Sequence, residues 1–82
     1  MLTDRSYAVR CEWDADAGCW FAWSEDVPGL ATGADTLEAL VERLRIAVPE
    51  LLEANGLLSP EEAGDVPLAI HAERHERVRR AA

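Results

Sequence analysis

The sequence predicts a small α+β protein, an antiparallel sheet with one long helix packed on it in the order β-β-β-α-β. Three observations support this class. Residues 6–13 and 19–24 have alternating side chains, with several aromatic residues, as half-buried strands do. A Pro-Gly turn then precedes a short apolar third segment, 30–32. Leucine and valine recur every three or four residues over 37–52, the pattern of an amphipathic helix.

The first two strands are predicted to form a hairpin around residues 14–18, where aspartates can cap the turn and glycine can take a positive φ. We predict that Trp13 lies opposite Cys19, which leaves Trp20 on the side away from the core. There it is covered by another element or belongs to an interface. The predicted core-facing residues are Tyr7, Val9, Cys11, Trp13, Cys19, Phe21 and Trp23.

The same register places Cys11 and Cys19 diagonally, roughly 7 Å or more apart at their Cα atoms, which disfavours a disulfide. We interpret both as small buried side chains. Two cysteines are also too few for a disulfide scaffold.

The helix is predicted to begin at Asp35 as N-cap, with Glu38 completing a capping box, and to end at Gly56. Pro49 lies inside this run and removes the hydrogen bond to residue 45. Because the apolar pattern continues past the proline, we predict a kink or a restart there.

A polar connection, 57–64, follows the helix, and residues 59–62 within it are able to start a single helical turn. Residues 65–72 then predict a final strand that points Leu68, Ile70 and Ala72 inward. The tail is charged, and its Glu/Arg pairs at 73/77 and 76/80 have the four-residue spacing of a helix. We therefore divide the chain into one α+β domain, 1–73, and a basic C-terminal tail, 74–82.

The charge distribution favours a basic protein partner. Residues 1–70 carry a net charge of −10 and residues 71–82 carry +2. An acidic body repels phosphate, which argues against nucleic-acid binding, although simple solubility explains the acids equally well. A homodimer or higher oligomer would add apolar burial to a domain of this size.

No cationic segment precedes an apolar one in the manner of a signal peptide, and no apolar run reaches the roughly 18 residues of a membrane span. We therefore expect a cytoplasmic protein that is not bound to a membrane.

The sequence contains only weak matches to the motifs of catalytic sites. His71 and His75 are four residues apart but lack the adjacent glutamate of a zincin or an inverzincin. No nucleophile elbow or glycine-rich phosphate loop is present in the sequence. We therefore expect no enzyme and no cofactor. A metal-dependent nuclease is the remaining catalytic alternative, because acids in predicted turns are able to hold a divalent cation. These acids are Asp14, Asp16, Glu25, Asp26 and Asp35.

Several short sequence motifs together carry a family resemblance. They are Tyr7-Ala8-Val9, Trp13-Asp14, Trp20-Phe21-Ala22-Trp23-Ser24-Glu25-Asp26-Val27-Pro28-Gly29-Leu30, Asp35-Thr36-Leu37-Glu38-Ala39-Leu40, Val48-Pro49-Glu50-Leu51-Leu52 and Asn55-Gly56. In this order they resemble the HicB-like antitoxin family, in particular a short and uncharacterised branch of it. The resemblance implies a truncated ribonuclease-H-like domain without catalytic carboxylates. It further implies a protein that binds a small basic HicA-like endoribonuclease toxin and blocks its active site.

Two groups of residues are candidates for partner binding. Trp20, off the predicted core face, is an aromatic anchor of the kind that dominates interfaces, and Glu25 and Asp26 supply acidic contacts. Arg74 and Arg77 in the tail are candidates for a further partner contact. Relatives often carry a C-terminal DNA-binding module, and nine residues after Glu73 are too few for one, so we expect no DNA binding by this chain alone. The alternative function is a stand-alone binding domain with another partner.

Overall fold

Four strands and one helix make up the computed structural model, which describes residues 6–59, 61 and 64–81. In chain order they are β1 (Tyr7–Asp14), β2 (Cys19–Trp23), β3 (Ala31–Ala34), α1 (Leu37–Ala54) and β4 (Leu68–Glu73). The predicted α+β class is confirmed. Residues 60, 62 and 63 lie outside the described residues, and the predicted helical turn at 59–62 falls partly on them.

The sheet is mixed, so the antiparallel prediction was wrong. Its strand order is β3-β2-β1-β4, with β4 parallel to β1 and the other two pairs antiparallel. The physical reason lies in the connection. Two antiparallel steps make β3 run in the direction of β1, and α1 then carries the chain back to the end of the sheet where β3 began. The strand that follows the helix therefore runs parallel to β1 as well.

The predicted hairpin register was wrong by one residue. Trp13 pairs with Trp20, and Asp14 pairs with Cys19 around a four-residue loop. The loop is closed by the Gly18 N–H, which donates to the Asp14 carbonyl at 2.8 Å, and Gly18 takes φ +68°. A one-residue slip exchanges the two faces of a strand. Cys19, Phe21 and Trp23 therefore face outward, whereas Trp20 and its neighbour Ala22 face the core.

The core lies between the inner face of the sheet and α1. Its ten buried members come from β1, β2, the Pro-Gly turn and the helix: Val9, Cys11, Trp20, Ala22, Val27, Leu30, Leu40, Leu44, Val48 and Leu52. Trp20 packs edge to face against Trp13, with ring centroids 5.7 Å apart. The two cysteines are free and lie on opposite faces of the sheet, in keeping with the prediction of no disulfide.

Helix α1 begins one residue later than predicted. Thr36 is the N-cap, and its hydroxyl accepts a hydrogen bond from the Ala39 N–H at 3.0 Å. The helix runs without a restart through Pro49. Gly56, at φ +74°, follows it as predicted. The Gly56 N–H donates to Glu53 and the Leu57 N–H to Leu52, which is the Schellman pattern.

The tail after β4, described to residue 81, is exposed and forms neither a helix nor a paired strand, although its charged pairs have the spacing of a helix. The Arg74 guanidinium lies over the Trp13 ring, 4.0 Å from the ring centroid. This contact is level with the Glu12–Glu73 pair, one residue further along both strands. The chain therefore leaves the sheet in line with β4.

Candidate protein interaction surface

The outer side of the sheet is exposed along the centre of β2. We call this side the open face, and the strand registers define its members. They are Ala8, Arg10 and Glu12 of β1, Cys19, Phe21 and Trp23 of β2, Ala31 and Gly33 of β3, and Ala69, His71 and Glu73 of β4.

Two aromatic rings dominate the open face. Phe21 and Trp23 are two residues apart on β2, on the same side of the sheet, and each is 37% exposed. The Arg10 guanidinium lies 5.9 Å from the Trp23 ring centroid, while Gly33 lies beside Phe21 and has no side chain to cover it. A Cβ atom on Gly33 would come within 2.9 Å of the Trp20 carbonyl oxygen. The close approach of β2 and β3 thus requires glycine and keeps one flank of Phe21 uncovered.

Beside Trp23 lies a shallow depression of about 310 Å³, lined by Ala8, Arg10, Trp23, Glu25 and Asp26. Residues 24–27 form a turn at the edge of this depression, which we call the rim. Asp26 stabilises the rim, because its Oδ2 accepts a hydrogen bond from the Ala8 N–H at 2.8 Å. Glu25 makes no side-chain hydrogen bond to any described residue and is exposed. Glu25 is therefore the carboxylate that is available to a partner at this end.

The Ser24 hydroxyl fixes the same rim. It donates to the Ala8 carbonyl at 2.5 Å and accepts from the backbone N–H groups of Asp26 and Val27 at 3.0 and 3.1 Å. These bonds continue the contact between β1 and β2 beyond their last ladder pair, Arg10 and Trp23. The acidic rim thus keeps a fixed position relative to the Trp23 ring.

Charges on the rest of the open face form two rows across the strands. Arg10 lies beside His71, and Glu12 lies beside Glu73, whose carboxylate is 2.8 Å from His75 Nε2. His71 and His75 are four positions apart, which is about 13 Å along an extended chain. Across residues 6–59, 61 and 64–81, no three His, Cys, Asp or Glu side chains are grouped as a metal site requires.

The structure separates the predicted partner-binding residues. Trp20 was wrongly predicted to face outward; it is only 9% exposed and belongs to the core. Glu25 and Asp26 lie beside Trp23 instead. Arg74 and Arg77 follow β4 at the opposite end of the sheet, because β4 runs parallel to β1 and ends next to Glu12.

The sequence prediction missed Phe21 and Trp23 as surface residues. The signal that could have found them is the turn, in which Asp14 directly precedes the loop and Gly18 ends it. The Asp14 carboxylate accepts from the Asp16 and Ala17 N–H groups, and such an Asx turn ending in a left-handed glycine closes a four-residue loop. Counting four loop residues rather than five puts Trp13 opposite Trp20.

Fold and surface together define a small α+β domain with an aromatic, acid-rimmed open sheet face. The chain belongs to the family described as a domain of unknown function, DUF1902, whose model matches residues 6–82. A search among curated proteins found no match. The chain is similar to a hypothetical protein of known crystal structure from the extremely thermophilic bacterium Thermus thermophilus. The two are 44% identical, with 90% of this chain and 97% of the other covered and a TM-score of 0.67.

No helix in the described part of the chain has the length and apolar character needed to cross a membrane.

Proposed function

We propose that this chain is a protein-binding domain of the HicB-like antitoxin kind, with a truncated ribonuclease-H-like fold, which neutralises a small basic HicA-like endoribonuclease in the cytoplasm. The observation that carries the proposal is the pair of exposed rings, Phe21 and Trp23, on the open face. Exposed aromatic rings on a rigid sheet are favourable anchors for a protein partner, since they bury a large area with little loss of side-chain entropy.

The charge around the rings favours a basic partner. Glu25 and Asp26 lie beside Trp23, and Glu12 and Glu73 continue the row of Phe21 across β1 and β4. An arginine or lysine of the partner is able to pair with Glu25 while it packs on the face of Trp23. Arg10 already occupies one such position at 5.9 Å. The net charge of −10 over residues 1–70 adds a field that accelerates association with a basic protein.

The decisive experiment is co-expression with a small basic protein encoded by an adjacent gene. We expect that protein to arrest growth alone, the present chain to restore growth, and Trp23→Ala to abolish the rescue. Ile46→Ala is the matched control, because Ile46 is an apolar side chain, 66% exposed, on the helix rather than on the open face.

Failure of the unsubstituted chain to rescue growth from any neighbouring toxin would contradict the antitoxin function. Equal rescue by Trp23→Ala would contradict the assignment of the surface. An adjacent region without a small basic protein would instead favour the alternative function, a stand-alone binding domain of the same fold.

A further inference from the structure

The segment after β4 is a second candidate interface, separate from the open face. We call residues 74–81 the C-terminal arm. All eight residues are exposed, and Val78 is 86% exposed. The described molecule measures 61 × 30 × 19 Å and has a radius of gyration of 15.6 Å, against about 12 Å for a compact chain of this length. The arm thus projects well beyond its own body.

The arm continues the alternation of β4. On the inner side, Arg74 lies over Trp13 and its Nε is 2.5 Å from the Glu76 carboxylate. On the outer side, His75 contacts Glu73. Contacts between residues two apart on each side are those of an extended strand, in which alternate side chains share a face. The first part of the arm, up to Glu76, therefore has the geometry of an extended strand.

Within the described sheet, the outer edge of β4 is an unpaired strand edge. β4 pairs with β1 on one side only, and among the residues that the structure describes no strand pairs with its other side. Beside this edge, the inner face exposes Ile70 at 36%. An unpaired edge of six residues presents a row of backbone donors and acceptors to another strand.

We propose that two copies of this chain form a dimer in which the C-terminal arm of each copy pairs antiparallel with the outer edge of β4 in the other. Residues 76–81 of one arm then lie along residues 74–69 of the partner copy, with His75 opposite its own equivalent on the two-fold axis. The paired part of the arm, 76–81, has the same six-residue length as β4.

Charge selects this register. Directly opposed side chains in an antiparallel pair share a face and interact, favourably when their charges are opposite. With His75 on the axis, Arg77 lies opposite Glu73 and Glu76 lies opposite Arg74. A shift of two residues one way places Arg74 opposite Arg74, and a shift the other way places Glu76 opposite Glu76. Both shifts oppose like charges.

The same register also suits the uncharged residues. Val78 would lie opposite Ala72, next to Ile70, so that two exposed apolar side chains become neighbours on the inner face. Arg77 would extend the Glu12–Glu73 row on the outer face. Shifts by an odd number of residues would oppose inner and outer side chains, and the alternation along β4 disfavours them.

The resulting assembly is an eight-stranded sheet with both helices on one side and both open faces on the other. Fewer than 20 residues a side take part, which is below the usual size of a stable interface, so the dimer should depend on concentration in the micromolar range. A monomer of 9.0 kDa and a dimer of twice that mass are readily separated.

Sedimentation equilibrium of the full chain at about 5 to 200 μM is the first test. We expect a monomer–dimer equilibrium that Arg77→Glu weakens about 10-fold and that Glu73→Arg combined with Arg77→Glu restores. Arg80→Glu is the matched control, since it makes the same charge change on the arm opposite the uncharged Ile70. A monomer throughout, or equal weakening by Arg77→Glu and Arg80→Glu, would overturn the proposal.

A cross-link tests the register directly. In a Cys19→Ser background, His75→Cys places two thiols on opposed residues, within the Cα separation that a disulfide needs, and mild oxidation should give a covalent dimer. Arg79→Cys is the control, because the proposed register separates its two copies by eight residues. Cross-linking of Arg79→Cys as fast as His75→Cys would contradict the arrangement. Far-ultraviolet circular dichroism verifies that each variant is folded.

Discussion

Two tryptophans on the same strand of the hairpin lie on opposite faces of the sheet. Trp20 is buried against Trp13, and Trp23 faces outward beside Arg10 and the rim carboxylates. Because they lie three residues apart on β2, one side chain packs in the core and the other lies on the surface for which we propose partner binding. Any experiment that replaces either residue must therefore measure folding and binding separately.

Trp20→Ala should lower the free energy of unfolding by about 3–5 kcal/mol, because it removes a large core side chain and leaves a cavity. Trp23→Ala should lower this free energy by less than Trp20→Ala does, since the Trp23 ring is 37% exposed and leaves no enclosed cavity. Urea denaturation followed by circular dichroism measures both. Equal losses for the two variants would show that β2 does not present its two faces in this way.

The two cysteine thiols should differ in reactivity. Burial raises the pKa of the Cys11 thiol, whereas Cys19 is only half-buried on the outer side. The thiolate is the reactive form, so we expect a thiol reagent at pH 7.5 to label Cys19 quickly and Cys11 only after denaturation. Cys19→Ser should leave no fast-reacting thiol, and fast labelling of that variant would contradict the burial of Cys11.

The same shift has a consequence for stability at alkaline pH. The folded state holds the Cys11 proton more tightly than the unfolded state does. Above the unfolded pKa of about 8.5, deprotonation therefore favours unfolding, and this contribution to stability falls as the pH rises.

At the scale of the elements, local sequence signals predicted where the helix and the strands occur, but they predicted poorly how neighbouring strands align. The apolar period located α1, and the glycine after it located its C-terminal cap, because both are properties of consecutive residues. The register of the hairpin depended on whether its loop has four or five residues, a difference that composition does not resolve. One residue in the loop was enough to exchange Trp20 for Trp23 in the candidate site.

The direction of β4 is a related case. A helical connection returns the chain to the end of the sheet where the previous strand began, so the parallel pairing of β4 with β1 follows from topology. The pairing partner itself could not be predicted from the sequence, since Leu68, Ile70 and Ala72 have an alternation that fits any position in the sheet. The arm was equally ambiguous, because Glu/Arg spacing of four also suits an extended chain that pairs with another copy.

The N-terminus of α1 offers a direct test of local alignment. Thr36→Ala should destabilise the protein by about 1 kcal/mol, because the Ala39 N–H loses its side-chain acceptor. Asp35→Ala should cost less, because Asp35 precedes the cap and contributes only through the helix dipole. Urea unfolding of the two variants at one pH compares them. A larger loss of stability for Asp35→Ala than for Thr36→Ala would indicate that Asp35 is the N-cap.

Over the whole molecule, repulsion dominates the charge balance. The net charge of the full chain is −8, and the described ion pairs, Arg45–Glu42 and Arg74–Glu76, are solvent-exposed, as is the contact between Glu73 and His75. Exposed pairs contribute little to stability, whereas uncompensated acids repel one another over distances comparable to the Debye length. Salt should therefore act on this fold mainly by screening repulsion.

Raising sodium chloride from 20 to 300 mM should consequently increase the free energy of unfolding by about 1 kcal/mol, measured with urea because guanidinium is itself a salt. The same change should weaken the proposed association with a basic partner, since opposite charges on the two proteins would drive it. Salt thus separates folding from binding by the sign of its effect. If salt destabilised the fold, attractive ion pairs would outweigh the repulsion between acids. The acidic surface would then not support the proposed binding of a basic protein.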